Sequence, residues 1–428
     1  MLTRPAALLR NRNFLLLTLA GSMSQLGDRI THMLIITVIG LAAPGRLLAY
    51  SGGAFVFVLP TLILSPVAGV VADHWNRRKI ISRTHFIQFA LIALTPLAIH
   101  LTGSYWPFWV ALVIFFGLDT FNNTATPALM PALVEPDQFL AANSLNLTFA
   151  RVATVIGMVA GGFLISSLQR WFGPAAAWRL GLWIDSAFHL AAGGLALAIV
   201  LPRGVRLEPI PHHNGIATEI ARSLRIFFAD LAELLRLVFR DRLVAFVLLT
   251  VVVSTFVSAV AYTLLIFLVQ QVLGLGTGGV GVFSGILAVG MIAGALSLSF
   301  MPPRIDRPRL AVLSVLVFGL LFLTGGRLIT LWFLAVVALV AGIAFSWLGV
   351  LQNTMLQEEV PPAVRGRIFS TREFVANVTF LVTTLLIGTL GDLTSYRLVL
   401  TAVGAGLTLT ATAAFFWIRK IRSGPPRP

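Results

Sequence analysis

The sequence predicts an all-α integral membrane protein of twelve transmembrane helices, arranged as two six-helix bundles in a 6+6 pseudo-repeat with both termini cytoplasmic. Three observations predict it. Only 11% of the 428 residues are charged and 57% are hydrophobic. A soluble domain carries roughly 25% charged residues, and one hydrophobic core stops growing at about 250–300 residues. Apolar stretches of about 20 residues, each long enough to cross a bilayer as a helix, recur along the whole chain. The basic residues collect in alternate connections between those stretches.

Arg4, Arg10 and Arg12 precede the first apolar run as they would in a signal peptide. That run, from Phe14 to Gly40, is longer than a signal core of about 7–15 residues and shows no small-residue cleavage site, so it reads as a retained helix. Spans are expected at 13–40, 48–72, 80–101, 106–130, 145–168 and 180–201, and then at 243–273, 280–301, 310–324, 329–351, 374–390 and 398–418. Between the two sets, Pro202, Pro209 and Pro211 mark a linker. Beyond them Ile216, Ile220, Leu224, Phe227, Leu231, Leu234 and Val238 recur at helical spacing, with Arg222, Arg225, Asp230, Glu233, Arg236 and Arg240 on the other faces. This predicts an amphipathic helix on the cytoplasmic interface. The domain organisation is therefore an N-terminal bundle over 1–201, a cytoplasmic linker over 202–242 and a C-terminal bundle over 243–428.

With the N-terminus inside, only Arg46, Arg170, Arg179, Arg327 and Arg397 of the 31 Lys and Arg fall outside, and Arg29 and Arg151 lie within spans; the remainder are cytoplasmic. This asymmetry fixes the orientation and the even number of spans together. It also accounts for the net charge of +15 without a nucleic-acid partner. The chain has no cysteine, which excludes disulfides and thiolate metal sites and fits a bacterial inner membrane. The lipid bilayer is the expected surrounding and a monomer the expected state.

The run Gly69-Val-Val-Ala-Asp73-His-Trp-Asn76-Arg77-Arg78-Lys79 resembles the loop signature of the major facilitator superfamily, G-x-x-x-D-R-x-G-R-R/K, with His74 in place of Arg and Asn76 in place of Gly. Asn tolerates left-handed backbone, so the turn is expected to survive. The second half carries a weak echo in Arg304-Ile-Asp306-Arg307-Pro-Arg309. Gln25-Leu-Gly27-Asp28, Pro131-Ala-Leu-Val-Glu135-Pro-Asp137, Ala142-Asn143-Ser144 and Leu356-Gln357-Glu358-Glu359-Val-Pro361 through Arg365-Gly366-Arg367 resemble the macrolide-efflux and siderophore-exporter branch of that superfamily. The antiporter motif of the fifth helix is partly matched, by Gly157, Gly161 and Gly162, which equally suit close helix packing. The resemblance implies secondary transport by alternating access. It also implies a cytoplasmic gate in which Asp73, Arg77 and Arg78 face Arg365, Arg367 and Glu373 at the start of the eleventh span.

A charge at mid-bilayer costs roughly 2.5–3.5 kcal/mol, so Asp28 in span one and Asp119 in span four should face water or a partner. Gln25, Asp28, Arg29 and His32 stand at i, i+3, i+4 and i+7 on one helix face. Asp28 reads either as a binder of a proton or substrate cation or as a structural partner of Arg29 or Arg151. Asn122 and Asn123 lie near Asp119, and Pro127 marks a bend. Arg151 either snorkels to the interface or pairs with a cavity acid. Asp185 and His189 are four apart, with Arg179 near enough in sequence to neutralise Asp185 at the interface; the pair could also titrate. In the second half Tyr262, Trp347 and Asn377, with Ser254, Thr255, Ser258, Gln352 and Asn353, supply an uncharged polar and aromatic wall.

Gly274-Leu-Gly276-Thr-Gly278-Gly279 lacks the Lys-Ser/Thr of a phosphate loop, and the one close histidine pair, His212–His213, makes no metal cluster. No cofactor, no enzymatic activity and no direct use of ATP are expected. The function expected is proton-coupled export of a small amphipathic organic compound, drug-like or siderophore-like, with protons as coupling ion. A lysophospholipid flippase and a uniporter are the alternatives within transport. A non-transporting sensor or scaffold is the alternative from another class, and it gives no reason to keep Asp28 and Asp119 at mid-bilayer.

Overall fold

The computed structural model describes residues 8–135, 138–201, 216–240, 242–301, 306–359 and 365–422. Its order is α1 (Arg12–Ala42), α2 (Leu47–His74), α3 (Arg77–Thr102), α4 (Trp106–Leu129), α5 (Phe139–Phe172), α6 (Pro174–Leu197), α7 (Ile216–Arg240), α8 (Arg242–Phe267), α9 (Gly276–Ser299), α10 (Arg307–Gly325), α11 (Leu331–Glu359), α12 (Arg365–Leu393) and α13 (Tyr396–Arg422). Among the described residues there is no strand. Eleven of these helices are long and apolar enough to cross a membrane. α1 is not one of them although it runs for 31 residues, because Gln25, Asp28, Arg29 and His32 interrupt its apolar sequence. α7 is the amphipathic helix expected from the linker.

Hydropathy locates the apolar centre of each helix and not its ends. α5 and α12 begin at Phe139 and Arg365, well before the expected 145 and 374. Backbone hydrogen bonding carries on through polar flanks where no breaker stands.

Asn76 is a correction to the expected left-handed turn. Its φ of −64° and ψ of 108° are extended, and its side chain accepts from Lys79 N at 3.2 Å. Asparagine replaces the motif's glycine as the N-cap of α3, satisfying one of the orphan amides of the first turn. Asp306 does the same for α10, accepting from Arg309 N at 3.3 Å and pairing with the Arg309 guanidinium at 2.8 Å. The echo between the two basic loops therefore extends to their capping chemistry.

The chain divides into two compact units. The first contains Met1–Ala42, Gly53–Arg225 and Gly276–Gly281. In it α1 packs on α5 and α6, and α3 packs on α4 and α6. Leu17, Ala20, Ile81, Ala125, Leu129 and Ala196 form an apolar core at one end. Gly157 on α5 faces α1 so closely that a Cβ would lie 2.8 Å from Arg29 Cβ, and Gly161 lies against Ile30 and Met33. Gly162 takes the start of α9, where Thr37 and Thr277 share a hydroxyl hydrogen bond of 2.8 Å. These glycines do the work of close helix packing.

The second unit contains Ala43–Gly52, Ile226–Leu275 and Val282–Pro428. There α10 packs on α13 and α11, and α8 packs on α12 and α11. Phe246, Val315, Phe318, Leu348 and Leu351 lie at its core. The first turn of α2 belongs here: Asp392 on α12 accepts from Leu47 N at 2.7 Å, and a π-turn ending α8 places Gln270 and Gln271 on either side of the Tyr50 hydroxyl, at 2.8 and 3.1 Å.

Candidate functional site

Polar residues interrupting α1 are tolerated because other helices meet them. Asp28 is 2% exposed and points towards α6, where His189 and Asp185 are fully buried. His189 Nε2 lies 3.4 Å from Asp185 Oδ1 and 3.8 Å from Asp28 Oδ1. Thr31, one turn along α1, donates to the other Asp185 oxygen. Gly27 makes this approach possible: a Cβ there would sit 2.6 Å from Asp185 Oδ1 and 2.9 Å from His189 Nε2. The neighbours of Asp28 on the stripe turn elsewhere. Arg29 donates to Gln25 Oε1 at 3.2 Å, and Thr154 on α5 donates to the same oxygen at 3.1 Å. His32 donates from Nδ1 to the Asp28 carbonyl at 2.6 Å and packs between Phe57 and Phe116.

A second polar layer joins α3 to α4. Thr84 donates to Asn122 Oδ1. Asn122 Nδ2 lies 3.3 Å from Gln88 Oε1, which also receives His85 Nδ1 at 2.9 Å, and Gln88 donates onward to Phe115 O at 3.2 Å. His85 Nδ1 stands 3.5 Å from His189 Nδ1, so this layer touches the carboxylate cluster. On the other side it borders a cavity of about 390 Å³ bounded by α1, α3, α4 and α5, lined by Gln25, His85, Asp119, Asn122, Asn123 and Pro127 among others. Asn123 donates to Asp119 at 2.9 Å within it.

Of the residues singled out in sequence, the first unit thus assembles Gln25, Asp28, Arg29, His32, Asp119, Asn122 and Asn123 in neighbouring layers, while Arg151 is exposed. In the second unit Tyr262 packs on Phe380, Trp347 donates to Ser297 at 2.8 Å, and Asn377 is half-buried. Among the gate residues, Arg77 donates to Ala72 O, Arg78 donates to Leu197 O, and Glu373 meets the neighbouring Arg372, which also donates to Asn353. The side chains of Asp73, Arg365 and Arg367 lie outside the described residues. His74, the departure from the motif, is buried and bonds Glu219 on α7. Asp185 does not meet Arg179, whose guanidinium lies over Trp178 instead.

His85, Gln88 and Thr31 were not legible as site residues. Thr31 stands beside the charged stripe of α1, and His85 and Gln88 lie three apart on α3, and only the neighbouring helix gives each its role. The i,i+4 spacing of Asp185 and His189 was the signal available for α6.

Chemically, the first unit holds acids and imidazoles away from lipid and beside a polar cavity. A buried ion without a partner is costly, which is a reason for these groups to sit beside one another. Among the described residues no group of three or more His, Asp or Glu is placed to hold a metal ion.

The sequence profile of the Major Facilitator Superfamily matches residues 17–310. Over 316 residues the chain is 27% identical to the enterobactin exporter EntS of Escherichia coli O1:K1, covering 71% of this chain and 67% of that one. It is 26% identical to EntS of Citrobacter koseri over 380 residues, 85% and 82% of the two chains. The MFS-type transporter YkuC of Bacillus subtilis is 21% identical, over 84% of this chain and 81% of its own. Among solved structures, the nucleoside transporter NupG aligns with a TM-score of 0.67 at 12% identity over 94% of this chain and 98% of NupG. A proton-dependent oligopeptide transporter aligns with a TM-score of 0.66 at 14% identity over 96% and 99%; at such identity these two establish the fold alone. The chain is a multi-pass membrane transporter, not an enzyme, and belongs to the Major Facilitator Superfamily.

Proposed function

We propose that this transporter is a proton-coupled exporter of a small amphipathic organic compound of the siderophore type, residing as a monomer in a bacterial inner membrane. Asp28 is its coupling acid, and Asp119 and Asn123 orient substrate in the cavity. The observation that carries this reading is the carboxylate Asp28, 2% exposed in a membrane helix and backed by a second acid and an imidazole. A group so expensive to bury is kept where its protonation changes during a cycle. The similarity to two enterobactin exporters supports the substrate class and the outward direction.

Twelve spans in a 6+6 arrangement, with cytoplasmic termini, bundles over 1–201 and 243–428 and a linker over 202–242, complete the reading. The repeated packing supports it: α3 with α4 and α6 parallels α10 with α11 and α13, and α1 with α5 parallels α8 with α12. Asp73, Arg77 and Arg78 would gate the cytoplasmic side against Arg365, Arg367 and Glu373.

The test is uptake into inside-out vesicles under an imposed pH gradient, screened across siderophores, drugs and lysolipids. Gradient-dependent accumulation of a siderophore-type compound is the expected result. Movement of lysolipid alone, or accumulation indifferent to the gradient, would replace this reading.

A further inference from the structure

Three buried polar atoms point at one another without completing a hydrogen bond. Asp28 Oδ1, Asp185 Oδ1 and His189 Nε2 complete no hydrogen bond among the described residues, although Nε2 stands 3.4 and 3.8 Å from the two oxygens. Gly27 has no side chain to fill the gap, and a Cβ there would collide with both Asp185 and His189. Phe115 closes the site with its ring edge-on to His189, centroids 4.9 Å apart. Orphaned groups of this kind are rare in folded proteins and mark a place where something exchangeable belongs.

We propose that Asp28, Asp185 and His189 form a proton-holding site behind α1, reached from the cavity through His85. The proposal deepens the proton-coupled reading above and rests on it. His85 lines the cavity, and its Nδ1 lies 3.5 Å from His189 Nδ1. His85 takes a proton from cavity water on Nε2 and gives up its Nδ1 proton, otherwise donated to Gln88 Oε1, so that the His85 Nδ1–H bond breaks as the His189 Nδ1–H bond forms. His189 then releases its Nε2 proton to a carboxylate oxygen of Asp185 or Asp28. One N–H bond breaks and one O–H bond forms, so the imidazole returns to neutrality as its other tautomer and the carboxylate becomes a carboxylic acid. Imidazole can do this because its two nitrogens accept and donate on opposite sides of one ring. A displacement of His189 Nε2 by under about an ångström brings either contact into bonding range.

Charged and titratable groups lie around the site on each element that packs on it. α1 contributes Asp28, with Arg29 and His32 beside it, α3 contributes His85, α4 contributes Asp119, and α6 contributes Asp185. Thr31 holds Asp185 by its far oxygen, leaving Oδ1 turned towards His189. Gln88 fixes the His85 ring. These are positioning residues.

The test is infrared difference spectroscopy of the full chain in lipid nanodiscs, acidic minus alkaline buffer, in H2O and D2O and without substrate. Wild type should show a carboxylic C=O band of a buried acid, reduced in Asp28→Asn and in Asp185→Asn. His85→Gln should keep the band but slow its response to a pH jump roughly a hundred-fold, the lower end of what one positioned proton-transfer group contributes. Thermal melting checks that each variant folds, and Asp185→Glu, which restores the acid, should restore a band. A band unchanged in both Asn variants, or a response as fast in His85→Gln as in wild type, overturns the proposal. Because no substrate is present, a normal band together with absent siderophore export would remove the export reading and leave this site standing. Gradient-driven export without any such band would do the reverse.

Discussion

The buried polar side chains of α1–α6 include Asp28, His85, Asp185 and His189, whereas the described ones of α8–α13 are hydroxyls and a single amide, Thr250, Ser254, Thr263, Thr277, Ser314, Gln352, Thr383 and Thr384. The difference is also one of where the hydrogen bonds go. Thr250, Ser254, Ser314 and Thr384 donate to carbonyls three or four residues back on their own helices, at 2.7 to 3.0 Å. They would be satisfied in an isolated helix. Asp28, Asp185, His85 and His189 also reach one another across helices: His189 of α6 stands beside Asp28 of α1 and His85 of α3, and Asp185 accepts from Thr31 of α1. Polar groups of the first kind report on packing, and those of the second kind exist because several helices agree to meet. The proposed coupling site lies in the first six helices on that ground.

The strongest way to break the comparison is to place alanine at Gly27 and at Gly342. The new Cβ would lie 2.6 Å from Asp185 Oδ1 in one case and 2.2 Å from Leu287 O in the other. Both should destabilise by about 1–3 kcal/mol, seen as lowered melting temperatures in detergent. Only Gly27→Ala should also change the pH dependence of transport per folded molecule; an equal change in Gly342→Ala would remove the asymmetry. A smaller effect tests the shared capping of the two basic loops. Asn76→Ala and Asp306→Ala should each lose about 1 kcal/mol, read by the same melts, with Asp306→Ala the larger if its Arg309 pair adds to the cap. Smallest is Gln352→Leu, which removes a 3.2 Å bond to Ser254. Interhelical bonds of this kind average about 0.6 kcal/mol in membranes. Coupling in that variant should be indistinguishable from wild type in a pH-gradient transport assay.

The same contrast explains what the sequence disclosed. Helix centres were legible because apolar stretches of bilayer length leave few other readings, and α7 was legible from its 3.6-residue period. Asp28 and Asp119 stood out because a charge in such a stretch must have a reason. The glycine in the loop signature was a different matter: with Asn76, sequence alone does not choose between a left-handed turn and an N-cap, and the backbone chose the cap. His189 and Asp185 carried a local signal, their spacing, but the partner that gives them meaning lies on α1, more than 150 positions earlier. Arg179 is the nearer counter-ion in sequence, yet it stacks on Trp178. Which face of α6 turns inward is decided by Gly27 allowing α1 to approach, and that is a property of the pair of helices.

The most direct measurement compares two assays on Asp28→Asn in proteoliposomes. One is accumulation of the transported compound driven by a pH gradient, and the other is exchange of labelled for unlabelled compound with no gradient. Loss of driven accumulation with exchange retained is the predicted result, since the carboxyl is needed for coupling and not for the motion of the helices. Driven accumulation at the wild-type rate with its pH dependence intact would contradict the assignment of coupling to the buried acids of α1 and α6.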